Sequence, residues 1–372
     1  MKKGAKKTAA RKPSAKSESR TAAMARMIQS KFGGMSAAIP TGEQVIETVS
    51  TGVDVLDHYV LGRGGHPRGR ILEIYGPEGS GKTSFGYQSI AQAQRAGGIG
   101  VWVESPGEGG IDESRAQVFG VDLDALLILR PATLEQSLDQ MREVLTLHDA
   151  DDGPMEIVWD SVAGMVTAEG QKRDAGNRKV GDVPLILSDE LKKLPPLLAK
   201  HNGHLTAINQ VRAKIGVMFG DNTTTPGGNA LKFYASQRLA ILGGKAVKDS
   251  KGQHTAKIVT LLAVKNRLGS PWRKAKVRLD YTTGFNNIWS TIWHAKVMKM
   301  IKCRADGFAG PSREGLAVYA EALEALGWQS RVPLPTEEEQ SVVNAGTDDE
   351  AEDLDDTDDD DDDDDDDDGD AD

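Results

Sequence analysis

The sequence predicts an α/β fold: a mostly parallel twisted sheet flanked by helices, with antiparallel hairpin additions and a small C-terminal region. Three observations carry this. Between residues 45 and 287, short apolar runs alternate with amphipathic stretches, the rhythm of βαβ units. The run Ile71-Leu-Glu-Ile-Tyr75 passes through a glycine-rich turn straight into a helical stretch. The later apolar runs follow one another without long helices between them, and strands joined that way pair antiparallel.

Composition sets the bounds. The chain has 372 residues, 38% of them hydrophobic, enough for one large domain with appendages. No apolar run approaches a membrane span, and the basic N-terminus lacks the apolar stretch of a signal peptide. The single cysteine, Cys303, permits no intramolecular disulfide and no zinc spacing accompanies it, which fits a reducing, cytoplasmic location. The net charge of −11 is unevenly spread. Residues 348–372 hold 20 Asp and Glu, while residues 1–20 hold eight Lys and Arg against Glu18. Without these ends the charge of the middle becomes +2.

The elements follow in order. Residues 1–19 read as a disordered basic arm and residues 336–372 as a disordered acidic tail, since neither can bury enough apolar surface to fold. Within 20–44, a helix over 20–32 places Ala23, Met27 and Ile28 on one face and stops at Gly33-Gly34; that face must dock, on the protein's own core or on a neighbouring subunit. The core, 45–287, has strands expected at 71–75, 99–103, 126–129, 156–159, 205–208, 238–242 and 258–265. Its amphipathic helices are expected at 83–96, 133–148 and 187–200. Residues 288–335 read as a small helical C-terminal domain. There is no internal repeat.

Gly76-Pro-Glu-Gly-Ser-Gly-Lys-Thr83 matches GxxxxGK[ST] in the strand–loop–helix setting that the chemistry requires. Glycines let backbone N–H groups turn inward around phosphate oxygens at the positive end of a helix. Lys82 would reach the β and γ phosphates of ATP, and the Thr83 hydroxyl would ligate Mg²⁺. Glu156-Ile-Val-Trp-Asp160 supplies a second carboxylate, Asp160, expected at the end of a neighbouring strand and holding the metal through water. Hydrolysis also needs a group that orients water. Glu104 and Glu108 both follow the 99–103 strand, expected beside the phosphate-loop strand, and spacing does not choose between them. Gln210, at the end of the 205–208 strand, is placed to sense the γ-phosphate. After it, residues 211–229 form a long loop with Arg212, Lys214 and Phe219, and residues 167–183 form a second one. Cations with an aromatic suit loops that order on a nucleic-acid backbone.

These residues resemble a known family. Gln210-Val-Arg-Ala-Lys-Ile-Gly-Val-Met-Phe-Gly220, continued by Thr224-Thr-Pro-Gly-Gly-Asn-Ala-Leu-Lys-Phe-Tyr-Ala-Ser236, is similar to the second DNA-binding loop of bacterial RecA recombinases. Ser50-Thr-Gly-Val-Asp-Val-Leu-Asp57 and Gly69-Arg-Ile-Leu-Glu-Ile-Tyr75 ahead of the phosphate loop match the same family, and the likeness runs over about residues 20–287. It implies a RecA-like P-loop ATPase core with an N-terminal polymerisation helix. The implied activity is that of a DNA-dependent ATPase that forms helical filaments on single-stranded DNA and exchanges strands with homologous double-stranded DNA. Single-strand-binding and mediator proteins are the further partners that the resemblance implies.

Residue by residue, the resemblance makes Glu108 the catalytic base, beside Lys82 and Gln210. Lys265 and Arg267 would reach the ATP of the adjacent subunit. Gly76, Pro77, Glu78, Gly79, Ser80, Gly81, Lys82, Thr83 and Ser84 would bind the nucleotide, Asp112 would meet the adenine edge, and Arg115, standing where the family has a stacking tyrosine, would stack on the base. DNA would lie on Lys192, Arg212, Lys214, Phe219, Gly227, Gly228 and Asn229. A regulatory paralogue or a closed-ring ATPase without strand exchange are the alternatives.

The chain also departs from the family pattern. Residues 168–183 do not align cleanly, Pro195-Pro196 interrupts the following helix, and the C-terminal piece is short, which together point to a divergent, or phage-encoded, member. The Asp-rich tail mimics a DNA backbone and can occupy basic DNA-binding surface until a polyanion or Mg²⁺ displaces it. Deleting residues 347–372 is therefore expected to raise duplex-DNA affinity and lower the Mg²⁺ needed for pairing. Binding titrations across a salt series check this, and superimposable curves would refute it.

Overall fold

The structure, a computed structural model, describes residues 19–33, 46–173, 182–213, 223–302 and 313–332. The basic arm up to residue 18, residues 174–181 of the first loop, Lys214, Phe219, Cys303 and the acidic tail lie outside them. The chain divides into two compact units, residues 1–46 and 47–372. In the first, α1 (Arg20–Phe32) begins where the Ser19 hydroxyl accepts from the Ala22 amide and ends at Gly33, φ 82°. Of the expected stripe, Met27 and Ile28 are 72% and 42% exposed and Ala23 is half-buried; Met24 and Phe32 beside it are 58% and 67% exposed.

The second unit opens with β1 (Thr48–Val49), paired antiparallel with β2 (His66–Pro67). Then β3 (Arg70–Gly76) leads through the glycine-rich turn into α2 (Lys82–Arg95). Next come β4 (Ile99–Glu104), α3 (Glu113–Val118), β5 (Leu126–Leu129), α4 (Leu134–Leu147) and β6 (Met155–Asp160). Short helices α5 (Ala168–Lys172), α6 (Asp182–Glu190) and α7 (Leu194–Lys200) precede β7 (Gly203–Gln210). A two-stranded neck, β8 (Arg212–Ala213) with β9 (Thr223–Thr224), then leads to α8 (Ala230–Tyr234). The long ribbon β10 (Gln237–Lys248) and β11 (His254–Asn266) follows, with β12 (Lys274–Asp280), β13 (Gly284–Asn286), α9 (Asn287–Val297) and α10 (Arg313–Leu326).

Nine strands form one sheet in the order β13-β12-β11-β10-β3-β7-β6-β4-β5. From β10 to β5 neighbours run parallel, and β10 to β13 pair antiparallel. The fold class expected from sequence is thus the one observed. One detail differs. The neighbours of β3 are β10 and β7, so neither the Asp160 strand nor the Glu104 strand lies beside it. Parallel strands are joined by crossovers, so closeness in sequence does not set closeness in space. β7 lies next to β3 and has seven of its eight residues buried, as a doubly covered central strand does.

Alternate side chains of β3 serve two cores. Leu72 and Ile74 join Phe85, Ile90, Val259, Leu261 and Leu279 on the α2 face. Ile71 joins Leu138, Met141, Leu187, Leu194 and Leu198 on the face covered by α4, α6 and α7. The helix expected over 187–200 is broken at Leu191–Lys193, because Pro195-Pro196 supply no N–H and must sit in the first turn of a new helix. β12 escaped the pattern reading: Lys274, Lys276 and Arg278 interleave with its apolar residues.

A third, smaller core joins α9 and α10 through Ile288, Ile292, Tyr319 and Ala322. A buried polar latch ties it to the turn before β2. The Tyr319 hydroxyl donates to Asp54 Oδ2, and Asn287 Nδ2 donates to the same oxygen at 2.9 Å. Among the described residues Asp54 Oδ1 has no partner, so those two donors are what keep a fully buried carboxylate satisfied. Tyr319→Phe should therefore cost about 1–3 kcal/mol, the penalty for a buried charged acceptor losing a donor. Urea unfolding of both proteins measures it, and an unchanged midpoint would show that the latch carries no stability.

Candidate active site

The parallel strands direct their C-terminal ends to one edge of the sheet, and the chemically equipped residues gather there. The turn after β3 is wedged in place. A Cβ on Gly76 would stand 2.5 Å from the Ile241 carbonyl oxygen, and one on Gly81, φ 99°, would meet Leu279 Cδ2 at 2.9 Å. Only glycine lets the backbone pass between β10 and β12 there and still start α2. Ser80 Oγ donates to the Pro77 carbonyl at 2.7 Å, closing the loop on itself.

Lys82, 9% exposed, donates to the carbonyls of Gly76 (3.0 Å) and Pro77 (2.6 Å). Burial lowers its pKa, opposed by Asp160, Glu78 and Glu108. Thr83 Oγ1 donates to Asp160 Oδ2 at 2.8 Å, although β6 lies two strands from β3: α2 crosses the sheet between them and carries Thr83 over. Burial pushes the Asp160 carboxyl up to about 6; Thr83 and Lys82 lower it, and Glu108 adds repulsion. Such a carboxylate is short of positive charge. Among the described residues no three His, Cys, Asp or Glu could hold a metal by themselves. Two protein oxygens beside a phosphate loop suit Mg²⁺, which takes few protein ligands and completes its shell with phosphate and water.

The two acids after β4 have different surroundings. Glu104 is engaged within its loop, Oε1 accepting the Ile111 amide at 2.9 Å and Oε2 the Arg130 guanidinium at 2.8 Å. Glu108 turns to the end of β6, where the Ser161 hydroxyl donates to its Oε1 at 2.8 Å. Gln210 is exposed and stands opposite Gly76, the first residue of the phosphate loop, in the β3–β7 register. The wall beyond holds Asp112, which caps α3 through the Arg115 amide at 3.0 Å and is lowered by the Ser114 hydroxyl. Arg115 lies over Phe119 and donates to the Tyr281 carbonyl at 3.0 Å, so its guanidinium is engaged and Tyr281 joins the wall. Pattern reading passed over Tyr281. Its signal was a Tyr-Thr-Thr-Gly turn between two strands.

Lys265 and Arg267 are not brought to this loop. Lys265 pairs across from Arg238, and both share the sheet face of Glu73, opposite α2. Lys265 Nζ donates to the carbonyls of Lys232 (2.5 Å) and Phe233 (3.1 Å), and Arg267 Nη2 to Phe233 (3.1 Å), so the pair caps the end of α8. Partial burial and the neighbouring Arg267 and Arg238 lower Lys265 to about 8. Phe233 beside them is 66% exposed.

The two loops share an anchor. A Cβ on Gly227 would meet Leu187 Cδ1 at 2.8 Å and one on Gly228 Pro184 Cβ at 3.0 Å, so the end of the second loop packs on α6, which follows the first. Asn229 is exposed at the start of α8, and Arg212 is exposed on the neck. Lys192 pairs with Asp189 at 3.0 Å on the surface. Underneath, Asn209 Nδ2 donates to the Pro226 carbonyl (3.0 Å) and to Glu73 Oε1 (3.1 Å), and Glu73 Oε2 accepts Arg238 Nε at 2.6 Å. A glutamate inside the apolar run of β3 was the overlooked sequence signal for this linkage.

The family model described as the RecA N-terminal domain matches residues 20–286. Protein RecA of Streptococcus gordonii is 38% identical over 264 residues, covering 70% of this chain and 67% of the relative. Protein RecA of Streptococcus pyogenes serotype M5 is 35% identical over 333 residues, 84% of this chain and 86% of the relative. Together with the phosphate loop, the nine-stranded sheet and the paired loops, these likenesses show that the chain belongs to the RecA family.

Proposed function

We propose that this chain is an ATP-dependent DNA recombinase that forms helical filaments on single-stranded DNA and catalyses homologous pairing and strand exchange with duplex DNA. One observation carries the reading. Lys82, Thr83, Asp160, Glu108 and Gln210 converge on one edge of the sheet, while Lys265 and Arg267 point from the opposite face and cannot serve the same loop. A site divided in this way is completed by a second protomer. The uncovered stripe of α1 supports the same reading, as a segment that docks on the neighbour.

In this reading the backbone amides of residues 76–83 and the Lys82 ammonium hold the nucleotide phosphates, and Thr83 with Asp160 hold Mg²⁺ directly and through water. Mg²⁺–ATP, when bound, supplies the phosphoanhydride that is cleaved. Glu108 accepts the proton of the attacking water; its hydrogen bond from Ser161 aims it at the Asp160 end of the site. Gln210 reads the terminal phosphate and passes its loss to the second loop through Asn209 and Pro226. Arg212, Lys214, Phe219 and the Gly227-Gly228 turn take the DNA backbone and bases. Lys192, already paired with Asp189, contributes only if that ion pair opens. Among the described residues no helix is long and apolar enough to cross a membrane.

ATP hydrolysis measured with and without single-stranded DNA, beside electron micrographs of the complexes, tests this function. Stimulation and filaments are expected, and their joint absence would defeat the reading. Lys82→Ala should lower turnover by at least about 10²-fold, the scale of losing one preorganised charge. Asp160→Asn makes a second, opposite prediction for stability. A carboxyl raised from 3.8 to about 6 destabilises the folded chain once ionised. That cost is absent below about pH 4, grows as pH rises to about 6 and is full above it. Nucleotide-free Asp160→Asn should thus melt higher than the parent at pH 7.5 and equally at pH 4, while losing Mg²⁺-dependent hydrolysis. Scanning calorimetry across that range, with an ATPase assay, checks both halves.

A further inference from the structure

We propose that Lys257 is a second lysine of the phosphate site, supplied by the same protomer from the β11 side; this rests on the reading of residues 76–83 as a nucleoside triphosphate site. Lys257 alternates along β11 in step with Val259 and Leu261, which belong to the core under α2, so its side chain leaves the sheet on the phosphate-loop face. Its Nζ donates to the Gly79 carbonyl at 3.3 Å. A bulge between Ala263 and Lys265 reverses the alternation, so Lys265, eight residues along the same strand, leaves on the other face and caps α8. Sequence position alone would not have separated these two lysines.

The contact is built rather than incidental. β12 holds the strand against the loop, because Leu279 packs on Gly81 and Lys257 lies opposite Leu279 in the β11–β12 register. Above Gly79, exposed and at φ +65°, no described residue stands within 4 Å of where a Cβ would be, so the mouth of the loop is open on that side. Among the described residues no carboxylate lies within 4.0 Å of it. Lys82 behaves alike, its Nζ resting on the carbonyls of Gly76 and Pro77. Two ammonium groups therefore rest on three carbonyls of one short turn. A neutral carbonyl is a weak partner for an ammonium compared with a phosphate oxygen, so a polyphosphate would draw both.

The test is equilibrium binding of N-methylanthraniloyl-ATP with Mg²⁺ to the full chain without DNA, for the parent, K257A, K257Q, K257R, K82A and, as a control on the ribbon tip, K251A. Lys257→Gln keeps a donor for the Gly79 carbonyl and removes the charge, so it separates pinning of the loop from attraction of phosphate. The expected result is a Kd raised about five- to tenfold in K257A and K257Q, the order of one partly exposed charge-assisted contact, with K257R and K251A near the parent. The nucleotide-free melting temperature should be the same in all. Parent-like affinity in K257Q, with affinity lost in K82A, would overturn the role of Lys257 alone. Equal affinity in the parent and K82A would overturn the phosphate-loop reading and this proposal together.

Discussion

Much of this molecule depends on a steric constraint at the end of β3. Gly76 passes within Cβ distance of the Ile241 carbonyl, and Gly81 lies against Leu279, so the turn into α2 is clamped between β10 and β12. The clamp fixes where α2 begins and therefore where Thr83 meets Asp160, two strands away. It also explains why the antiparallel extension β10–β13 belongs to the site. Without those strands the loop would keep its sequence and lose its wall.

The second face of the sheet is organised around a buried charge. Glu73 is fully buried in the middle of β3, and it is satisfied on one side by Arg238 and on the other by Asn209. Removing one partner from such a pair costs several kcal/mol, so the three move or stay as a unit. Arg238 Cζ also lies over the Tyr75 ring, 4.7 Å from its centre. Because Asn209 carries the Pro226 carbonyl and precedes Gln210, the strand end that faces the phosphate loop and the end of the second loop share one set of hydrogen bonds.

Legibility in the sequence followed the strength of each physical signal. The phosphate loop was plain because its glycines, lysine and threonine are dictated by phosphate chemistry, and the central strands because burial on both faces leaves continuous apolar runs. Spatial order was not plain: β7 comes late in the chain yet sits beside β3, and nothing in a run of apolar residues announces its neighbour. β12 was hidden by lysines on its solvent side. The acids after β4 could not be told apart by spacing, since their difference lies in Arg130 and Ser161, residues far along the chain. Glu73 and Tyr281 were missed because a single polar residue within an apolar strand, or an aromatic in a turn, has many ordinary explanations.

The cations on the far face already have partners within the chain. Lys265 and Arg267 end on carbonyls at the C-terminus of α8, where the helix presents unsatisfied oxygens and partial negative charge. That is a modest partner: partial burial, with Arg267 and Arg238 beside it, already lowers Lys265 to about 8, so its charge is poorly compensated where it rests. A polyphosphate on an adjoining protomer offers a stronger one. Moving the two side chains there would uncap α8, the helix that follows the second loop and carries the exposed Phe233. If a neighbouring protomer's polyphosphate takes them, as proposed, assembly and loop position would be joined through the same two cations, which otherwise rest on the carbonyls of α8.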